Sequence, residues 1–558
     1  MSDLAFFGIV LFVVVLIFVK GMLDQKKAAK EYLEEYKNEY GNRSYRDISP
    51  DELLSTKAFF LRKTKEADNE LIIDDITWND LDMDLLFKRI DKTLSQPGTE
   101  VLYNMLRHPK PCDDVEKKEK LISYFQDNAE DRAKLIMILK NIGRMGKYSF
   151  SDYVDSLDKC EQLNMFKHWF CLFFGVVSLI LIFAVPPLGF ICMFFSLFYN
   201  IFSYFAAKNE IKKYISVFAY ILRLLKYSES FLGIDVDIIS GEKEEIKSIL
   251  QKTSEIKKGA FLVMNQGGAT GNFADIILDY FRMYFHLDLL RFNYMLKTAR
   301  EQKNYYIRLW EIIGNIDAYI AIGNFRASLP YYSTPDFCED KIYECMDLFH
   351  PLLEKPISNS LNCDKCMLLT GSNASGKSTF LKTVAINAIL SQTINTSVSA
   401  KYCAPHFAIM TSMALSDSIA ANESYYMAEI KALKRILKTD CSDCTILCCI
   451  DEVLRGTNTA ERIAASASVL EHISKKGILC FAATHDLELS TLLAKNYANY
   501  HFSENIEDNK ISFPYKLFEG ATNSRNAIKL LSLMGFDESI VNAADKRCKD
   551  FLESNVWT

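Results

Sequence analysis

Leu368-Leu369-Thr370-Gly371-Ser372-Asn373-Ala374-Ser375-Gly376-Lys377-Ser378-Thr379 decides the fold of the C-terminal part of this chain. It satisfies G-x-x-x-x-G-K-[ST] at every position. An apolar run, residues 367–370, enters it as a strand, and Phe380-Leu381-Lys382-Thr383-Val384-Ala385-Ile386 leaves it with helical spacing. Strand, glycine-bounded loop and helix in that order make a phosphate cradle, because successive backbone N–H groups and a helix N-terminus converge on one anion. The pattern predicts that Gly371, Ser372, Asn373, Ala374, Ser375, Gly376, Lys377, Ser378 and Thr379 bind a nucleotide, ATP with Mg²⁺. Lys377 serves the phosphates and the Ser378 hydroxyl the metal.

Two further strands deliver polar groups to the same place. Thr445-Ile446-Leu447-Cys448-Cys449-Ile450 is a continuous apolar run that ends in Asp451-Glu452. A strand that brings a carboxylate beside a phosphate loop is how such enzymes hold magnesium. The expectation is therefore Asp451 in the metal shell with Ser378, and Glu452 as the base that orients and deprotonates water. Ile478-Leu479-Cys480-Phe481-Ala482-Ala483 ends in Thr484-His485-Asp486. A histidine at the C-terminal tip of such a strand faces the γ-phosphate. Glu452, His485 and Lys377 are the expected catalytic set.

These residues carry a family resemblance. Gly371 to Thr379, Asp451-Glu452 with Arg455-Gly456-Thr457, Ala483-Thr484-His485, and Glu519-Gly520-Ala521-Thr522-Asn523-Ser524 resemble the ATPase domain of the MutS mismatch-repair family. Asn373 is a feature of that family beyond the general loop pattern. His350-Pro351-Leu352-Leu353 and Asn359 resemble the opening of the domain, and residues 85–106 with Gly98 the start of the MutS helical core. The resemblance spans roughly residues 75–150 and 270–555. It implies a dimer with composite ATP sites, each receiving a serine from the partner copy, here Ser424, and a base-stacking aromatic near Tyr515. DNA binding of the family's kind follows from the same resemblance.

The departures are equally specific. Asn422-Glu423 stand where the family has Gly-Arg before Ser424. Leu454 replaces a glycine after the carboxylate pair, and Ala460-Glu461-Arg462 replace Tyr-Asp-Gly. The mismatch-reading domain has no room before residue 75, its Phe-x-Glu wedge is absent there, and no counterpart of the DNA-clamp domain is evident.

Hydrophobicity is unevenly spread over the 558 residues. Residues 4–19 form an unbroken apolar run followed by Lys20, Lys26, Lys27 and Lys30, as in an uncleaved anchor with its basic side in the cytoplasm. Residues 169–205 are apolar and uncharged, with Pro186-Pro187-Leu188-Gly189 near the middle, and predict a transmembrane hairpin. Lysines flank both its ends, so both ends read as cytoplasmic. The 65 basic and 71 acidic residues leave a net charge of -6, which is no electrostatic footprint for nucleic acid. Fifteen cysteines without framework spacing suggest reduced thiols. Cys363/Cys366 and Cys441/Cys444 have the pair spacing of a zinc site, but a strand between theirs would hold them about 10 Å apart.

The fold class is mixed, with five segments: a transmembrane anchor (1–22), a cytosolic helical region (23–165), a transmembrane hairpin (166–207), a long helical core or lever (208–349) and an α/β P-loop NTPase domain of the ABC/MutS type with a helical dimerisation tail (350–558). The chain reads as a multi-pass protein of a bacterial-type plasma membrane with its ATPase domain in the cytoplasm. With the apolar segments, the resemblance implies a homodimeric, membrane-anchored, MutS-like ATPase that drives a helical clamp, with DNA as an expected partner. An ATP-gated membrane scaffold or transport-coupled ATPase without DNA binding is the alternative.

Overall fold

The computed structural model describes residues 20–66 (except 22 and 25), 71–109, 115–145, 149–150, 154, 157–257, 280–372, 375–413, 425–439, 444–507 (except 456), 510–522, 528, 531 and 534–554. Residues 1–19 of the expected anchor, Asn373, Ala374, Ser424, Cys441, Gly456, Asn523 and Ser524 lie outside them. The chain divides into two compact units, residues 1–68, 88–104 and 116–328, and residues 69–87, 105–115 and 329–558.

The first unit is helical. Helix α1 (residues 26–39) ends at Gly41, whose N–H donates to Asn324 Oδ1 at 2.9 Å. The Arg132 guanidinium lies 3.6 Å from the Tyr40 ring centroid, a cation–π contact that ties this end of the helix to the core. Helix α2 (Pro50–Glu66) starts as its sequence predicts, with Ser49 Oγ accepting from the Glu52 N–H at 3.2 Å.

Helix α3 (Gln96–Arg107) begins where the sequence suggests a break. Pro97 has no N–H to lose in a first turn, so it opens the helix instead of interrupting one. Ser95 Oγ accepts from the Gly98 N–H at 3.2 Å, and the Leu94 and Ser95 N–H groups donate to the Asp317 carboxylate at 2.8–3.1 Å. Asp317 is fully buried, and desolvation pushes its pKa up to about 6 in spite of those donors. A Cβ on Gly98 would lie 2.2 Å from Asp317 Oδ2, so only glycine admits this cap.

Residues 115–142 form two helices, α4 (Val115–Asp127) and α5 (Ala129–Ile142), parted at the non-helical Asn128. Helices α6 (Met165–Ala184) and α7 (Pro186–Leu232) form the hairpin, turning at Val185-Pro186. Among the described residues two stretches, Met165–Ala184 and Pro186–Asn209, are long and apolar enough to cross a membrane. Helix α8 (Ser240–Lys252) follows, then α9 (Leu287–Glu301) and α10 (Lys303–Ala327). The left-handed His286 precedes α9, and Gln302 separates it from α10.

The hairpin inverts the usual burial rule. Phe166, Phe183 and Phe202 are 82%, 89% and 79% exposed, whereas His168, Ser178, Ser196 and Asn200 are buried. Asn200 Nδ2 donates to the Cys171 and Tyr284 carbonyls at 3.0 and 2.9 Å, the Tyr284 and Ser178 hydroxyls are 3.2 Å apart, and the His168 and His286 Nδ1 atoms are 2.9 Å apart. Beyond Asn209 the same helix α7 buries Ile215, Phe218, Ile221, Leu222 and Leu225.

The second unit is α/β. Strands β1 (Asp336–Phe337), β2 (Tyr343–Leu348), β3 (Asn359–Cys363) and β5 (Lys401–Ala404) form a small sheet in the order β1-β5-β2-β3. The main sheet joins β4 (Cys366–Thr370), β6 (Phe407–Ser412), β7 (Thr445–Asp451), β8 (Leu479–Ala483), β9 (Tyr497–Phe502) and β12 (Leu517–Glu519). Its order is β12-β9-β4-β8-β7-β6, parallel except for β12. A two-stranded ribbon, β10 (Asn505–Glu507) and β11 (Lys510–Ser512), precedes β12. Helices α11 (Lys377–Ile394), α12 (Tyr425–Lys438) and α13 (Thr459–Lys475) accompany the sheet, and α14 (Glu538–Ser554) follows it. Strands β4, β7 and β8 are buried along nearly their whole length, which is why their sequences read as continuous apolar runs.

The acidic cluster of residues 74–84 is structural. Asp74 caps the short helix Asp75–Asp80 by accepting from the Thr77 N–H at 2.8 Å. Asp80 accepts from Thr411 Oγ1 and the Met413 N–H, Asp82 pairs with Lys382, and Asp84 accepts from Trp78 Nε1. Among the described residues no group of His, Cys, Asp and Glu is arranged to hold a metal ion on its own.

Two outcomes test the buried cap on α3. Gly98→Ala forces a methyl against the Asp317 carboxylate and should lower unfolding stability by about 1–3 kcal/mol in urea titrations. The folded state favours neutral Asp317, so this group's contribution is full below its ordinary 3.8 and is lost as pH rises through about 6. Asp317→Asn should flatten the pH dependence of the urea midpoint across that window.

Candidate functional site

The parallel register sets the site. Leu369 pairs with Ala483 and Ala483 with Asp451, so the tips of β4, β8 and β7 end level with one another. The loops leaving those tips meet at the C-terminal edge of the sheet, where ligands bind in open α/β folds. Strand β8 lies between β4 and β7, so the loop after β4 must reach across a strand to meet Asp451. Helix α11 makes that reach: Ser378, in its first turn, faces the Asp451 carboxylate and acts to lower its pKa.

Gly376 caps α11 in a left-handed conformation with φ +107, and a Cβ there would lie 3.0 Å from the Tyr515 ring. Lys377 is nearly buried and donates to the Gly371 and Ser372 carbonyls at 2.9 and 2.8 Å. Burial lowers its pKa, while Asp451, Glu452 and Glu504 pull the other way. Ser375 is 1% exposed and its Oγ has no hydrogen-bond partner. An orphaned hydroxyl in a loop of this shape fits a phosphate acceptor.

Asp451 and Glu452 are neighbours with opposite electrostatics. Burial raises the Asp451 pKa, with Ser378 and Lys377 opposing it. Glu452 is held below its ordinary 4.5, first by the hydrogen bond from His485 Nε2, 2.9 Å from Oε1. Arg455 Nε sits 2.8 Å from the other oxygen, and His485 Nε2 lies 3.5 Å from Lys377 Nζ. Glu452 is therefore ionised throughout the neutral range. The group's depressed pKa also gives a stability contribution present above 4.5 and lost on acidification below it.

A cavity of about 490 Å³ opens over the loop. Ser375, Gly376, Lys377, Ser378, Thr379 and Glu452 line one side, and Leu348, His350, Leu353, Ile357 and Tyr515 another. That volume, with polar groups on one wall and apolar ones on the other, is within the ordinary range for a nucleotide-sized ligand. Tyr515 stands at φ +52, held by Asn359: its Nδ2 donates to the Tyr515 carbonyl at 3.0 Å, and its Oδ1 accepts from the Leu517 N–H at 2.8 Å. The Gly520–Thr522 segment docks on the sheet tips, with the Gly520 N–H donating to the Asn499 carbonyl and the Thr522 N–H to Thr370 Oγ1.

The structure thus brings Lys377, Ser378, Asp451, Glu452 and His485 together and places Tyr515 on the cavity wall. Three contributors escaped the sequence reading. Arg462, in the altered Ala460-Glu461-Arg462 run, forms a two-pronged pair with Asp486 at 2.6 and 2.9 Å, beside His485. Glu504 accepts from Ser372 Oγ. Glu429 is buried on α12 and accepts from the Leu454 N–H. Its signal was visible: Glu429, Leu433 and Ile436 share one helical face, and an acid on an apolar stripe calls for a partner.

The cysteine pairs behave differently from one another. Cys363 and Cys366 are free thiols on separate sheets, and Cys366 Sγ accepts from the Cys480 N–H. Cys444 is disulfide-bonded, with a partner outside the described residues, which corrects the expectation of reduced thiols at that position.

Comparison with known proteins agrees with this geometry. Residues 367–552 match the MutS domain V family model. MutS protein homolog 4 of Mus musculus is 31% identical over 279 residues, which are 47% of this chain and 28% of that protein. The Homo sapiens protein of the same name is 29% identical over 336 residues, 56% and 34% respectively. The DNA mismatch repair protein MutS of Methanosarcina acetivorans is 28% identical over 262 residues, 44% and 29%. The matches thus span about a third of each relative's length or less. Residues 367–552 thus carry a MutS domain V, and about half of the chain is similar to MutS proteins.

Proposed function

We propose that this chain is a membrane-tethered ATPase of the MutS type, whose nucleotide cycle opens and closes a dimer of helical levers. The observation that carries the reading is the Glu452–His485 pair at 2.9 Å beside a cavity lined by Lys377, Ser378 and Glu452, with Asp451 facing Ser378. Ser378 and Asp451 would hold Mg²⁺, which supplies charge neutralisation at the β- and γ-phosphates. Gly371, Ser372, Asn373, Ala374, Ser375, Gly376 and Thr379 cradle the phosphates through their amides and hydroxyls. Lys377 exchanges the Gly371 and Ser372 carbonyls for phosphate oxygens. Glu452 orients a water and takes its proton as the water oxygen bonds the γ-phosphorus and the bond to ADP breaks. His485 holds Glu452 in place and faces the transferring group. Tyr515 offers a face to the base, and Ser424 of a second copy completes the site, as the family resemblance implies.

The hairpin supports membrane tethering. A soluble protein hides its phenylalanines, whereas α6 and α7 show them outward and bury a seam of Ser, Asn and His. Lipid rewards that arrangement, because polar groups gain by pairing inside while apolar ones lose nothing outside. The same seam favours a second reading, a scaffold or transport-coupled ATPase whose load is in the membrane. In the first reading the load is DNA. The net charge of -6 does not favour DNA, so the two are separated by titrating the solubilised chain with duplex DNA at several salt concentrations. Binding that weakens steeply with salt supports the DNA load, and none with ATP, ADP or neither supports the membrane load.

Glu452→Gln should bind ATP about as tightly as the parent yet hydrolyse it on the order of a hundredfold or more slowly in single-turnover assays. Equal turnover in the two proteins removes Glu452 from the role of base. In membrane vesicles Cys192, on the hairpin, should resist a water-soluble maleimide that labels Cys338, equally half-buried but on the α/β unit, and should react once detergent is added and the chain denatured. Labelling of Cys192 at the rate of Cys338 in intact vesicles contradicts the spanning hairpin.

A further inference from the structure

The turn that follows β7 is built from unfavourable backbone. Glu452 and Leu454 both have φ +57, the left-handed region that side chains with a Cβ disfavour. Three elements pin it. The Glu452 N–H donates to the Ala483 carbonyl of β8 at 3.0 Å, Ser466 Oγ of α13 donates to the Val453 carbonyl at 3.1 Å, and Glu429 Oε1 of α12 accepts from the Leu454 N–H. Glu429 is the charged member of these three. It is 3% exposed, its Oε2 has no hydrogen-bond partner, and it lies where a carboxylate is costly unless it is used.

We infer that Glu429 is a positioning residue for the catalytic carboxylate. By holding Leu454 in its left-handed conformation it fixes the turn from which Glu452 reaches His485, and it ties that turn to the first turns of α12. The inference rests on the ATPase reading only for its effect on rate. The hold on the turn is a property of the resting protein. Two details support it. Glu429 is not among the residues that line the cavity, so its action on chemistry runs through the turn. Helix α12 begins at Tyr425, one residue after the proposed trans serine, so this bond joins the segment a second copy would contact to the base of the site in the same chain.

The position of Leu454 supplies the test, since glycine adopts φ +57 without strain. The full-length, detergent-solubilised chain is compared with Glu429→Ala, Glu429→Gln, Leu454→Gly and the double variant Glu429→Ala/Leu454→Gly. Amide exchange over residues 452–455 should quicken in Glu429→Ala without nucleotide, and Glu429→Gln, which keeps an acceptor oxygen, should retain part of the protection. ATP turnover in Glu429→Ala should fall about ten- to a hundredfold, the cost of a small misplacement of a reacting group, with KM little changed. Leu454→Gly should restore much of that rate when added to Glu429→Ala. A merely structural role predicts no such rescue, because removing a second side chain from a damaged fold does not mend it. Unchanged exchange over 452–455 in Glu429→Ala overturns the inference, as does a rate the double variant fails to raise. A parent that binds ATP without hydrolysing it instead overturns the ATPase reading, and the exchange measurement still decides whether Glu429 holds the turn.

Discussion

Two adjacent carboxylates must face two different partners, and the end of β7 is where that constraint is met. Asp451 is the last residue of β7 and Glu452 leaves the strand in left-handed backbone, so the two carboxylates part company there. Asp451 turns to Ser378 and stays in a desolvated pocket that raises its pKa, whereas Glu452 turns to His485 and Arg455 and is held ionised. One prefers a metal or a proton as company, the other stays ready to accept a proton. Left-handed backbone at Glu452 completes the divergence. Everything else in the α/β unit keeps these two groups where they are: the level strand tips, the reach of α11 across β8, and the pins from α12 and α13.

What the sequence disclosed, it disclosed through local pattern. The loop, the strands that enter and leave it, and the carboxylate pair are contiguous runs whose periodicity and spacing survive in any context. The structure brings together Lys377, Ser378, Asp451, Glu452 and His485 as that pattern implies. Pairings between distant segments were invisible for a physical reason: nothing in Arg462 announces Asp486, or in Asn359 the backbone on either side of Lys516. Helix boundaries failed where one residue overrode a periodic pattern. Pro97 began a helix, Asn128 split one, and His286 bent another by adopting a left-handed conformation that no apolar spacing forecasts.

The departures from family pattern acquire physical content in the same way. Leu454, where the family has glycine, is buried and strained, and the carboxylate of Glu429 holds it. A glycine there would need no such hold. The Ala460-Glu461-Arg462 run is likewise no simple loss, since Arg462 clamps Asp486 next to the histidine that holds Glu452. In this chain charged side-chain contacts carry part of the burden of holding the site. A site held in that way is sensitive to the elements carrying the charges, α12 and α13.

The helical unit makes a different argument from continuity. Helix α7 runs 47 residues, roughly 70 Å at 1.5 Å per residue, without a break. Its first half is apolar on the outside, and its second half is buried in the helical core through Ile215 to Leu225. A continuous helix has no soft dihedral at which the change of surroundings could be absorbed, so rotation of its core half rotates its apolar half as well. Nor is the partner helix α6 free to slip, because the seam of Ser178, Asn200 and Tyr284 ties the two together at buried polar contacts that cost energy to open. Movement in the helical core is therefore delivered to the hairpin as a rigid displacement and not dissipated at a hinge between them. That stiffness is what a membrane load needs, and it is unnecessary in a chain whose apolar hairpin only moors it to a surface.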